Sequence, residues 1–178
     1  MKFETIRSES IYDGRVFSVR KDQVRLPNGA ETSLDIIEHG GAVTILPIDS
    51  DGRVWFVRQY RHAAGIELLE LPAGGLEPGE SPEICAQRET REEIGLKAGK
   101  LQKIGAFFLA PGYSTELLHI FLATDLSPAP LERDIDEFLS VERIALAQVF
   151  EMIQAGEIVD AKTLAVFQLA ATHLDNFV

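Results

Sequence analysis

For most of this chain apolar positions come in short runs broken by Gly, Pro, Asn and Asp, and only three stretches carry the wider spacing of helices. VFSVRKDQVRL (16–26) mixes apolar and polar residues at strand length, PNG (27–29) supplies an Asn-Gly turn, and ETSLDIIEH (31–39) returns. The first 40 residues therefore read as an antiparallel β meander, closed by a break at Gly40-Gly41. AVTILPI (42–48) predicts a buried strand. After the turn DSDG (49–52), RVWFVRQY (53–60) and IELLELP (66–72) predict two more and lead into a glycine-rich loop.

Ser81-Pro82-Glu83 predicts a helix start, with Ser as the cap and Pro at the first helical position, and Gly95 predicts its stop. LQKIGAFF (101–108) and LLHIFLAT (117–124) predict strands around the loop LAPGYSTE. The Pro-rich acidic segment 125–137 reads as a loop before a short strand at 138–141, and helices are expected over 144–156 and 160–174. Strands mixed with three helices imply an α/β domain: a mixed sheet with helices on both faces, an α/β/α sandwich, plus the small N-terminal subdomain.

Composition narrows the function. The chain has 178 residues, 46% of them hydrophobic and 25% charged, enough for a continuous core without disulfides or structural metal. Cys85 is the one cysteine, so a disulfide framework and a Cys-based zinc site are both excluded. MKFETIRSESIYDG lacks the apolar run of a signal peptide and no 18-residue apolar segment occurs, so the expectation is a cytoplasmic protein with no membrane partner. A formal charge of −11 argues against a nucleic-acid polymer as partner. A small anionic ligand stays open if divalent cations lie between it and the protein.

One stretch strains against elementary electrostatics. In the helix within 81–95, Glu89, Glu92 and Glu93 share an arc of roughly 100°. Like charges at these spacings cost about 0.2–0.5 kcal/mol per pair in an isolated helix. Cys85 and Ala86 lie on or beside the same arc, so this face is expected to lie close to other protein. Arg88 can pair with Glu92 at i,i+4. Arginines and water would compensate the acids on a solvated face; a bound cation would compensate them otherwise.

Spacing favours the cation. The segment fits G-x5-E-x7-R-E-U-x-E-E-x-G-U, with U a bulky aliphatic, at Gly74, Glu80, Arg88, Glu89, Glu92, Glu93, Gly95 and Leu96. At typical residue usage the seven non-aliphatic matches arise by chance about once in a million such chains. This 23-residue motif resembles the box of the Nudix hydrolases. Thr90 stands where that family prefers a bulky aliphatic, a position expected to pack the helix on its sheet.

The resemblance implies a Nudix fold and Mg²⁺ (with Mn²⁺ as the alternative cation) bridging carboxylates to a nucleoside diphosphate. It makes Glu89 and Glu93 the expected metal ligands. Glu92 would share metal binding or support it, Arg88 would orient the carboxylates, and the Ala73 carbonyl would be the main-chain ligand. Glu80 is a weaker supporting candidate, and Gly74 lets the loop backbone approach.

Resemblance extends through RQYRHAAG (58–65), ELPAGGLEPGE (70–80), LAPGYSTE (109–116), DIDEF (134–138) and GEIVDAKT (156–163), which look like the ADP-ribose pyrophosphatase branch. That branch carries a proline about fifteen residues past the box, where Pro111 stands here, with Ala110 in place of the commoner serine. By this resemblance Arg61 meets adenine or diphosphate, Pro111 and Gly112 shape the substrate loop, and Glu116 orients that loop or touches the terminal ribose. Glu137 would be the water-activating base, with Glu132, Asp134 and Asp136 near enough to compete. The branch also implies a homodimer whose N-terminal meander (1–40) completes the substrate site of the hydrolase domain (41–178).

A three-strand meander is only marginally stable alone, an independent reason to expect a partner. His39, His62, His119 and His173 share no metal-ligand spacing and are read as structural, as is Cys85. The expected substrate is ADP-ribose, with another nucleotide sugar such as GDP-mannose as the alternative. A non-catalytic ligand sensor is disfavoured by the intact charged box, and a nucleoside-triphosphate hydrolase by the N-terminal extension and the Pro111 loop.

Overall fold

Asn28 and Gly29 turn the chain back on itself as the Asn-Gly signal requires: Gly29 takes a positive φ of 85° and Asn28 Oδ1 accepts the Ala30 amide at 3.0 Å. This is a detail of a computed structural model describing residues 2–132 and 138–174. The turn joins β2 (Ser18–Arg25) to β3 (Glu31–Glu38), and β1 (Glu4–Asp13) pairs antiparallel along β2, giving the order β1-β2-β3. The predicted meander is present.

The chain divides into two units, the first comprising Met1–Gly41 and Phe107–Leu118. The second of these segments, which contains LAPGYSTE, pairs with β3. Ile37 donates its amide to the Tyr113 carbonyl at 2.7 Å and accepts from Thr115 at 3.0 Å, and Ser114 bridges Ile37 in parallel. Every residue of β1 is exposed, while Val24 of β2 is buried.

The second unit comprises Ala42–Ala106 and His119–Val178. Its central strand β4 (Ala42–Pro47) is buried at all six positions, as a strand covered on both faces must be. β5 (Arg53–Arg61), β6 (Ile66–Glu70) and β10 (Leu139–Ala145) form a sheet in the order β10-β5-β6. The other sheet runs β7-β4-β9-β8, from β7 (Ala73–Gly75), β8 (Leu96–Phe108) and β9 (Leu117–Pro128). Val43 and Ile45 of β4 pack with Phe121 and Ala123 of β9 against Cys85 and Ala86 of helix α1 (Pro82–Glu93). Alternation turns Thr44 and Leu46 to the opposite face. Helix α3 (Ala161–Leu174) also packs on β4, so α/β/α layering is realised within this unit.

Local differences from the expected elements have local causes. β7, within the expected glycine-rich loop, forms because Ala73, Gly74 and Gly75 pair with Thr44, Val43 and Ala42. β8 begins at Leu96 rather than 101, directly after Gly95 stops α1 at φ 73°. β9 runs into the expected Pro-rich loop as far as Pro128. β10 continues to Ala145, paired with Arg53, so helix α2 (Leu146–Ala155) starts two residues later than its apolar pattern suggests.

Candidate active site

Helix α1 starts as its sequence dictates. Ser81 caps it, its Oγ accepting the Ile84 amide at 3.3 Å, and Pro82 occupies the first helical turn. Its apolar arc seats Cys85, Ala86 and Thr90 fully buried on the sheet, so the adjoining acids are carried inward. Thr90, the one departure from the box pattern, packs there with its hydroxyl donating to the Ala86 carbonyl at 2.6 Å. This spares a buried hydroxyl from going unpaired.

Glu89 and Glu93 are 5% and 2% exposed, which removes them from the solvated-face alternative. Glu93 Oε2 accepts the Ala73 amide at 2.9 Å. A Cβ on Gly74 would lie 1.9 Å from Glu89 Oε1, so only glycine lets β7 pass this carboxylate. Two carboxylates of α1 thus rest on two successive backbone units of β7.

Arg88 gathers the remaining acids. Its Nη1 donates to Glu89 Oε1 at 2.6 Å and to Glu92 Oε2 at 2.9 Å, the i,i+4 pair the spacing anticipated. Its Nε and Nη2 take both oxygens of Glu80 at 3.0 and 2.9 Å, and Nη2 also reaches the Gly75 carbonyl at 3.1 Å. Hydrogen bonding to Arg88 outweighs burial and holds the Glu80 carboxyl below its usual range, while Glu80 in turn raises Arg88. Burial pushes the Cys85 thiol up, so it stays protonated and unreactive.

Three carboxylates thus meet at one guanidinium. Among the described residues no three such side chains converge as a ready-made cage. The donor set nevertheless suits a hard divalent cation: carboxylate oxygens pressed onto a glycine backbone, beside main-chain groups of β7.

Other expected site residues lie elsewhere. Arg61, at the end of β5, forks onto Glu70 with Nε at 2.7 Å and Nη2 at 2.8 Å. Pro111 and Gly112 are exposed at the tip of the loop paired to β3. That loop is closed by Tyr113 and Ser114 amides on the Ala110 carbonyl, at 3.1 and 2.9 Å. Glu116 sits at its base, its amide donating to Ser114 Oγ at 3.2 Å. Arg61 and the box thus belong to the second unit, and Pro111, Gly112 and Glu116 to the first. Glu137, with Asp134 and Asp136, lies outside the described residues, while Glu132 is exposed.

Sequence reading passed over Glu70, Asp160, Lys162 and Thr163. Glu70 is 1% exposed and accepts from Lys162 as well as Arg61. Lys162 also bonds Asp160 at 3.0 Å. Asp160 caps α3 through the Thr163 amide at 3.0 Å, and Thr163 Oγ1 accepts the Leu71 amide at 3.0 Å. Available signals were an acid inside the apolar run IELLELP and the Asp-x-x-Thr start of an apolar helix.

Family comparison agrees with this geometry. A model described as the NUDIX domain matches residues 38–167. The chain belongs to the Nudix family. A second model, described as the nucleoside diphosphate sugar hydrolase N-terminal domain, matches residues 3–33 of this Nudix protein. It is 39% identical over 167 residues to an ADP-ribose pyrophosphatase of Bacillus subtilis, covering 93% of this chain and 90% of the relative. To an ADP-ribose pyrophosphatase of Mycobacterium tuberculosis it is 38% identical over 174 residues, covering 96% and 83%. To a GDP-mannose pyrophosphatase of Yersinia enterocolitica it is 30% identical, covering 97% of each chain. A crystal structure of an ADP compounds hydrolase superposes with a TM-score of 0.87 at 27% identity, covering 99% of this chain and 96% of that one.

Proposed function

We propose that this Nudix protein hydrolyses the diphosphate of ADP-ribose to AMP and ribose 5-phosphate with Mg²⁺, Mn²⁺ being the alternative cation. The carrying observation is the clustering of carboxylates at α1, where Glu89 and Glu93 lie against Gly74 and Ala73 while Arg88 is shared among Glu80, Glu89 and Glu92. The similarity to two ADP-ribose pyrophosphatases supports the choice of substrate.

Glu89, Glu93, Glu92 and the Ala73 carbonyl would hold the cations. Bound there, divalent cations neutralise the diphosphate and polarise water. Arg88 fixes the rotamers of Glu89 and Glu92 before substrate arrives, so little reorganisation remains at the moment of reaction. Glu137 takes the proton of the attacking water as general base. Arg61 meets the adenine or the diphosphate, and Pro111, Gly112 and Glu116 bound the rest of the substrate.

Residues 1–40 act as a dimerisation subdomain that completes the substrate site, and residues 41–178 as the hydrolase domain. The exposed Phe3, Ile6, Ile11, Tyr12, Val16 and Phe17 support a second copy of the chain as partner. Among the described residues no helix is long and apolar enough to cross a membrane, and a cytoplasmic location is part of the same proposal. The net charge of −11 favours small nucleotides over nucleic-acid polymers.

GDP-mannose is the second reading, favoured by the Yersinia relative. Incubation of the purified protein with Mg²⁺ and either compound, followed by product chromatography, separates them. AMP with ribose 5-phosphate, formed faster than any product of GDP-mannose, is expected. The reverse preference would move the substrate, and no cleavage of either would point to a ligand sensor.

A further inference from the structure

Glu70 is a costly residue. It ends β6 at 1% exposure inside an apolar run, and an ionised carboxylate there must be balanced by partners. It has two. Arg61 of β5 donates Nε to Oε1 and Nη2 to Oε2, at 2.7 and 2.8 Å, and Lys162 of α3 donates to Oε2. Burial would raise the Glu70 carboxyl, and the two cations hold it below its usual range instead.

The partners are not alike. Lys162 is 13% exposed and also bound to Asp160, whereas Arg61 is 41% exposed. Arg61 engages Glu70 through its Nε–Nη2 edge, and the structure records no hydrogen bond from Nη1 among the described residues. A fork fixed along one edge presents the rest of the guanidinium plane in one orientation, the geometry that suits bidentate recognition of phosphate. The Arg61 guanidinium is held above its ordinary pKa chiefly by its hydrogen bond to Glu70, with Glu93 among the further charges that act on it.

The cradle behind Glu70 is equally constrained. Leu71, its neighbour in sequence, is tied to Thr163 Oγ1, and the Pro72 carbonyl accepts from Ile45 at 2.9 Å. Segments 70–75 and 156–163, distant in sequence, therefore meet at one carboxylate.

We propose that Glu70 is a positioning residue for the hydrolysis: anchored by Lys162, it aims the Arg61 guanidinium at the diphosphate. The inference rests on the nucleotide-sugar reading above. Glu70 touches no reacting atom and acts through Arg61.

A double-mutant cycle in kcat/KM for ADP-ribose tests this, using wild type, Glu70→Gln, Arg61→Ala and the double variant, with the melting temperature of each recorded. Glu70→Gln is expected to lower kcat/KM by about 10- to 100-fold, as misplacement of a binding group does. With Arg61 already removed, the same change should cost less than about twofold, within the scatter of independent sites. Equal losses in both backgrounds would show that Glu70 supports the fold rather than Arg61, and no loss in either would also overturn the proposal. Should Glu70→Gln fail to fold, the cycle is run with Glu70→Asp, which keeps the charge but withdraws it by one methylene from Arg61. If wild type does not cleave ADP-ribose, the substrate reading fails instead, and the cycle is read with the nucleotide sugar that wild type cleaves fastest.

Discussion

Two arginine–carboxylate clusters lie in the second unit, and their charge balance differs. Around Arg88, three carboxylates share one guanidinium. Around Glu70, two cations and two carboxylates alternate as Arg61, Glu70, Lys162 and Asp160. The balanced cluster satisfies itself and can be buried to 1% exposure at its centre. The Arg88 cluster instead gathers several carboxylates along one helix face, an arrangement that suits recruitment of a cation on the proposed reading. On the proposed reading, one cluster is a site for cations and the other a rigid mount.

The comparison breaks first at Glu93. Glu93→Gln should lower kcat by at least about 100-fold with the melting temperature little changed, as for loss of a transition-state charge contact. Steady-state kinetics beside a thermal melt would show it, and near-normal turnover would remove Glu93 from the site.

Gly74→Ala is expected to come next. Its Cβ would meet Glu89 Oε1 at 1.9 Å, so the carboxylate or β7 must move. A loss of about 1–3 kcal/mol by denaturant titration, typical of overpacking, should accompany lower activity.

The balanced cluster should reveal itself in acid. Glu70's folded pKa lies below its ordinary 4.5, so its contribution to stability is present above about pH 4.5 and is lost as pH falls through the folded value. The gap in melting temperature between wild type and Glu70→Gln should therefore be widest near neutrality and narrow in acid. The smallest effect is expected at the cap: Ser81→Ala should cost about 1 kcal/mol and leave the preference among substrates unchanged.

Legibility in the sequence followed the range of the interactions. Turns, caps and helix faces are local, so the Asn28-Gly29 turn, the Ser81 cap, the Gly95 stop and the Arg88–Glu92 pair could all be read from spacing. β7 could not, because three small residues become a strand only by pairing with β4 some thirty positions earlier. The attachment of 107–118 to β3 was equally hidden, since the backbone bonds joining Ile37 to Tyr113 and Thr115 carry no composition signal. Glu70 escaped notice because its partner Lys162 lies 92 residues away. The box acids were readable as a motif, but that Gly74 and Ala73 bear directly on Glu89 and Glu93 emerged only once β7 lay beside α1.

The most direct test of the division between the two clusters is a titration of Mn²⁺ by electron paramagnetic resonance, on wild type, Glu89→Gln, Glu93→Gln and Glu70→Gln. Loss of a carboxylate ligand should weaken cation binding by about tenfold or more in the two α1 variants, at the lower end of what metal-site mutations cost. Glu70→Gln should bind Mn²⁺ as wild type does. Unchanged binding in Glu89→Gln and Glu93→Gln, or its loss in Glu70→Gln, would contradict the account.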